Sequence, residues 1–176
     1  MSESLIDIQS VYADGGVIGA NPSPIGGTWA WCQVRDGSIV RSASSVITPT
    51  EAGLPAITNN LTELLAILNA RASLPYAWTG AIYSDSWVSL QRVFLAAKLA
   101  NVPDWLIVRL QCMQRDGWFS GCSWQLLDGH PTKAQLMAGV GKRGRPVSKW
   151  NVFCDEACGR RAREYLMRQR EIEVLA

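Results

Sequence analysis

The sequence has no run of about 20 apolar residues, so no segment is long enough to cross a membrane as an ordinary helix. Its opening residues, MSESLIDIQS, do not join a basic region to an apolar stretch and a small-residue cleavage site. Secretion is therefore not expected, and a reducing cytoplasm is the expected location. The five cysteines, Cys32, Cys112, Cys122, Cys154 and Cys158, are odd in number and lack short paired spacings, which fits reduced thiols better than a disulfide framework. Cys154 and Cys158 with His130 are also a weak zinc signal, because the i,i+4 spacing lacks the usual close cysteine pair. Internal repeats, low-complexity tracts and interdomain linkers are missing as well. What is there is a chain of 176 residues, 48% hydrophobic and 18% charged. That is enough for one domain, residues 1–176, to bury its own core.

Acidic residues are scarce late in the chain. From His130 to Arg170 there are ten Lys/Arg against three Asp/Glu, a net of +7, while the remainder has seven against twelve, a net of −5. Such a basic block attracts polyanions, nucleic acid above all, although it also suits a solvated helix face and a loop.

Alternating apolar residues predict a first strand from Leu5 to about Asp14, stopped by Gly15-Gly16. After the loop GANPSPIGG, TWAWCQV and SIVRSASSVI predict two more strands joined by a hairpin turn at Asp36-Gly37. A loop over Thr48–Pro55 precedes TNNLTELLAILNARASL, whose Leu61, Leu64, Leu65 and Leu68 fall on one helical stripe. GAIYSD then predicts a short strand, SWVSLQRVFLAAKLA a helix, Asp104 to Gln114 another helix after Pro103, and CSWQLLD a fifth strand. Gly129–Lys149 reads as a Gly/Pro/Lys/Arg-rich loop, and about 150–173 as a long basic helix. This order implies an α/β fold, a mixed sheet with helices on its faces. In open sheets ligands commonly sit beyond strand ends, where Asp14 and Asp85 fall.

A carboxylate closing an apolar strand is costly unless it has a partner. Asp14 and Asp85 occupy matching places of this kind, and a group of Asp and Glu oxygens is the usual protein contribution to a hard divalent cation. The motifs VYADGG…GANPSPIGG, TNNLTELLAI, YSDS, DGH and NVFCDEA, in this order, resemble type 1 ribonuclease H, the metal-dependent nuclease of RNA/DNA hybrids. The likeness runs from about Val11 to Arg163, and implies a mixed five-stranded sheet flanked by helices with its core at about 5–165. It also implies a site. Asp14, Glu63, Asp85 and Asp155 would hold two Mg²⁺ ions (Mn²⁺ is the alternative) about 3.5–4 Å apart, for in-line hydrolysis leaving a 5′-phosphate and a 3′-hydroxyl. His130 corresponds to a mobile catalytic histidine that moves a proton or helps product depart, as an imidazole can near neutral pH. Asn21, Asn59 and Asn60 would contact sugar or base edges of the hybrid, Gly15 would let the backbone approach RNA, and Thr58 would sit at a DNA-phosphate pocket.

Each residue has an ordinary reading beside this one. Asp14 before glycine suits a turn, Asp85 before Ser86 could cap a helix, and Asp155 suits a helix start. Asn60-x-x-Glu63 resembles a capping box, and periodicity alone leaves Glu63 in solvent, opposite the leucines. Asn59 and Asn60 favour helix starts, Asn21-Pro22 favours a turn, and His130 before Pro131 could be a plain loop residue. Most of the eight tryptophans, Trp29 and Trp31 included, read as core or sheet-face residues rather than stacking surfaces.

The sequence departs from the family in three places. It lacks the Lys- and Trp-rich insertion with which some members grip hybrids. It has 25 positions from His130 to Asp155, longer than the usual loop, with Lys142, Arg143, Arg145 and Lys149 in the excess. Trp87 replaces a polar residue after YSDS, so that one polar approach to a strand of the substrate is missing or gives way to stacking. The basic segment GKRGRPVSK, with Arg160, Arg161 and Arg163, is expected to supply phosphate contacts in place of the insertion, as an alternative to a merely solvated loop. The expected protein is a monomeric hybrid-cleaving endoribonuclease with no membrane contact. A nuclease of the same fold acting on structured DNA, or a non-catalytic hybrid-binding or interaction module, is the alternative.

Overall fold

The computed structural model of the protein describes residues 7–175. Five strands form one sheet in the order β3-β2-β1-β4-β5: β1 (Ser10–Val17), β2 (Gly27–Arg35), β3 (Ser38–Ile47), β4 (Ala81–Ser84) and β5 (Ser123–Leu126). The first three are antiparallel neighbours, whereas β4 and β5 add in parallel beside β1. The mixed five-stranded α/β architecture expected from the sequence is thus present. Asp36 and Gly37 both take positive φ, 49° and 71°, which is the twist a two-residue hairpin between β2 and β3 requires.

The helices are α1 (Pro49–Ala52), α2 (Asn59–Ala72), α3 (Trp87–Phe94), α4 (Asp104–Arg115), α5 (Lys133–Ala138) and α6 (Lys149–Leu175). Alternation along β1 divides the core. Val11 and Ala13 face the larger apolar cluster with Leu61, Leu64, Leu68, Leu90, Leu106 and Leu110, while Tyr12 faces a smaller one with Cys32, Cys154, Ala157 and Cys158. Among the described residues, no helix is long and apolar enough to cross a membrane.

Four local expectations are corrected. The first strand does not stop at Gly15-Gly16 but runs on to Val17, because both glycines pair with β2, opposite Trp29 and Thr28; its expected beginning at Leu5 lies outside the described residues. The helix expected to reach Ala100 ends at Phe94, where the buried Arg92 side chain donates instead to the carbonyls of Lys98 and Ala100 in the following turn. The two segments read as loops, Thr48–Pro55 and Gly129–Lys149, each contain a short helix. Both open with a capping box, Thr48 with Glu51 and Thr132 with Gln135, in which the hydroxyl and the side-chain oxygen accept each other's backbone N–H.

Candidate active site

β1 and β4 are parallel neighbours, so their C-terminal ends open on one edge of the sheet. Asp14 lies near the end of β1, opposite Ala30 of β2, and Asp85 follows the last residue of β4. Glu63 comes from the second turn of α2, which crosses β1 at very short range: a Cβ on Gly15 would run into the backbone of Thr62 and Glu63. Gly15 therefore permits the helix approach that sets Glu63 beside Asp14. Its backbone still borders the cleft, but the space its missing side chain leaves belongs to α2 rather than to a ligand. A Cβ on Gly129 would likewise strike the Asp85 carboxylate.

Carboxylate oxygens of Asp14, Glu63 and Asp85 all lie within 4.8 Å of one another. Asp14 and Glu63 are only 4% and 7% exposed. The buried Glu63 Oε2 and Asp85 Oδ1 have no hydrogen-bond partner, while Asp14 Oδ1 accepts the Gly15 N–H at 2.8 Å. Burial first, and then the neighbouring acids, hold Asp14 and Glu63 well above the usual carboxylate range. Burial also raises Asp85, against the pull of His130 and the Asn151 amide. Three neighbouring carboxyls, two of them with an unpartnered oxygen, fit a hard divalent cation, the group that satisfies oxygen and charge together.

Asp155, on α6, borders the same cleft but points toward His130, its Oδ2 standing 3.4 Å from Nδ1. Two of the ordinary readings are displaced. The cap of α3 is Ser86, not Asp85. The cap of α2 is Thr58, whose hydroxyl accepts from Leu61, so Asn60 and Glu63 form no capping box, and Glu63 is buried where periodicity left it in solvent. α2 is buried nearly all round, and an outward position on the helical wheel is here the face laid on β1.

Asn59 and Asn60 open α2 on the cleft wall, and Asn21 is tied to them: its Oδ1 accepts the Asn59 N–H at 3.3 Å. Of the four basic residues of GKRGRPVSK, Arg143 borders the cleft, Lys142 is exposed on the same turn, Arg145 is half-buried at its base, and Lys149 opens α6 with its Nζ 4.1 Å from the Trp150 ring centroid. That turn is built on Asp128, the aspartate of the DGH motif, for which the sequence alone suggested no role. Asp128 is buried; its Oδ2 accepts the Arg143 N–H at 2.6 Å and its own N–H donates to Pro146 at 2.9 Å. A Cβ on Gly141 would collide with Asp128. Arg160 and Arg163 flank a groove beside Asp155. Arg161 does not join them, since it donates to Ser44 of β3 and pairs with Glu164 one turn further along α6. Asn151, buried beside Asp85, had no signal in the sequence.

No protein-family model matches the chain, and no curated protein matches it in sequence. Solved structures do. LC11-RNase H1, isolated from compost by a metagenomic approach, has a TM-score of 0.61 and 14% identity over 91% of this chain and 99% of its own. The same protein in complex with an RNA/DNA hybrid gives 0.61 and 14% over 89% and 98%. RNase H1 of the halophilic archaeon Halobacterium salinarum gives 0.54 and 19% over 88% and 97%. The chain has the ribonuclease H-like fold.

Proposed function

We propose that this protein is a metal-dependent endoribonuclease that hydrolyses the RNA strand of RNA/DNA hybrids. The observation that carries the reading is the meeting of Asp14, Glu63 and Asp85 oxygens within 4.8 Å, two of them buried and unpartnered, at the shared end of two parallel strands. The fold it shares with RNase H1 structures, one of them solved with an RNA/DNA hybrid, supports the same reading.

Asp14, Glu63 and Asp85, with Asp155 at the cleft edge, would hold two Mg²⁺ or Mn²⁺ ions. When bound, these supply water activation and stabilisation of the leaving 3′-oxygen, for products with 5′-phosphate and 3′-hydroxyl ends. The chain does the rest. His130, 3.4 Å from Asp155, is held by that carboxylate for moving a proton at the leaving oxygen or easing product departure. Asn59, Asn60 and the tethered Asn21 offer amide groups to the 2′-hydroxyls and base edges of a wide, shallow minor groove. Thr58, at the start of α2, suits a phosphate of the DNA strand. Arg143, with Lys142 and Arg145 on the turn held by Asp128, supplies phosphate contacts, and Arg160 and Arg163 extend them along α6. We assign this activity to a monomer in a reducing compartment, which its five free thiols suit.

The test is an end-labelled hybrid, with duplex RNA, duplex DNA and each single strand as controls, under Mg²⁺ and then with chelator, beside Asp14→Asn and Asp85→Asn. Metal-dependent cleavage of the hybrid's RNA strand alone, lost in both variants, is the expected result. Cleavage chiefly of DNA would overturn the substrate, activity surviving both variants would overturn the site, and tight hybrid binding without cleavage would make the protein a binding module.

A further inference from the structure

Trp87 takes no part in the metal site or in the 2′-hydroxyl contacts proposed above. It is the first residue of α3 and borders the acid cleft with 42% of its surface exposed, and Val88 beside it is 37% exposed. The rest of that cleft is largely polar, with Asp14, Glu63, Asn59, Asn60 and Arg143 around it, so an indole kept in water there is out of character with its surroundings. The ring is also held. Its centroid lies 5.8 Å from that of Trp124 at 46°, Trp124 stacks on Phe94 at 5.9 Å and 22°, and Phe94 meets Phe119 edge-on at 5.5 Å. This chain of rings orients an exposed aromatic beside Asp85 before anything binds, which lowers the ordering cost of a contact.

We propose that Trp87, backed by Trp124, is a stacking platform for an unpaired nucleobase, so that the preferred substrate carries a single-stranded nucleotide next to the scissile phosphate. In a continuous duplex the faces of the bases are covered by their neighbours and only edges reach a protein. A free π face exists where pairing ends, at an overhang, a gap or a splayed nucleotide. Val88 adds apolar surface against the same base or its sugar. The proposal rests on the nuclease reading and narrows its substrate to junctions between paired and single-stranded RNA.

The experiment uses Asp14→Asn protein, to prevent cleavage, titrated with a blunt RNA/DNA hybrid and with the same hybrid carrying a short single-stranded RNA extension. The extension contains a fluorescent adenine analogue that dims on stacking. The extension is expected to tighten binding about 5- to 150-fold, the range for one base stacked on an aromatic side chain, and to dim the analogue. Trp87→Leu in the same background should abolish both the difference in affinity and the dimming, and Trp87→Phe should keep most of each. A difference that survives Trp87→Leu overturns the platform, as does equal affinity for the two hybrids with Trp87 in place. If the blunt hybrid and the extended one both fail to bind, the nuclease reading falls and the platform with it.

Discussion

Arg71 and Glu63 stand about two turns apart in α2, both buried, and their surroundings differ in kind. Arg71 is 0% exposed, yet its guanidinium donates to the carbonyls of Trp118, Pro75, Tyr76 and Trp78 at 2.6–3.3 Å. The rings of Trp78 and Trp118 lie 5.5 and 5.0 Å from its Cζ. Four of its five N–H groups are taken up by carbonyls of the chain, and the result is a fastener for the turn between α2 and β4. Glu63 sits among like charges, with a buried oxygen that nothing in the chain satisfies. No salt bridge from a lysine or arginine reaches Asp14, Glu63 or Asp85 among the described residues. A buried charge with full hydrogen bonding stabilises its neighbourhood, whereas a buried carboxylate cluster opposes folding and is tolerated where a cation can arrive.

That contrast can be broken from either end. The largest effect on the fold should come from Arg71→Ala, which strands its carbonyl acceptors at ~1–3 kcal/mol for each buried group left unpaired. A destabilisation of about 4 kcal/mol in chemical denaturation is expected, and one below ~1 kcal/mol would mean that Arg71 is not the fastener described.

Asp14→Asn should do the reverse. Cleavage should fall more than ~100-fold, beyond the range seen when only the outer partners of a metal ligand are altered, while metal-free stability holds or rises because one of the repelling charges is gone. Melting with and without Mg²⁺ provides the check: the native protein should gain stability on Mg²⁺ addition and the variant should gain much less.

A third, smaller effect concerns pH. Asp14 and Glu63 are raised in the folded state, so the native protein binds more protons than the unfolded chain at pH values between their ordinary range near ~4 and their raised folded values. Metal-free stability should therefore be fully present below about pH 4 as far as these two groups are concerned, and should decline as pH rises through the folded values. Saturating Mg²⁺ should flatten that decline. A metal-free profile that rises across the window would contradict the assignment.

The smallest effect should come from the basic turn. Neutralising Lys142, Arg143 and Arg145 should flatten the slope of log affinity against log salt by about 0.9 for each phosphate that is no longer neutralised. Asp128→Ala should flatten it too, although it removes no positive charge, because Arg143 is deprived of the acceptor that holds its backbone. Unchanged slopes in both variants would return the turn to a solvated loop.

Much of this was readable in the chain. Strand alternation, the Asp36-Gly37 turn and the leucine spacing of α2 are local patterns, and they marked the sheet and its helices. Asp14 and Asp85 were visible because an acid closing an apolar strand contradicts its own neighbourhood. Glu63 was visible only within the ordered motifs, since the helical wheel placed it in solvent. Its burial depends on Gly15, 48 residues away in the sequence, whose missing side chain admits the backbone of α2. The two short helices were legible in principle from Thr-x-x-Glu and Thr-x-x-Gln, but each is too short for periodicity to register.

What lay beyond the sequence was the sorting of like residues by distant partners. Of the arginines in the basic block, Arg143 faces the cleft because Asp128 holds its backbone, whereas Arg161 turns away to Ser44 and Glu164. Of the tryptophans, Trp78 is sealed in the core, its indole N–H donating to Ile8, while Trp87 is left on the cleft wall against Trp124. Residue type and spacing specify elements because backbone conformation and burial periodicity are local. The environment of a charge or a ring is set by segments that meet only when the sheet closes, and here those meetings separate the charge that fastens the fold from the carboxyls left without a partner in the chain.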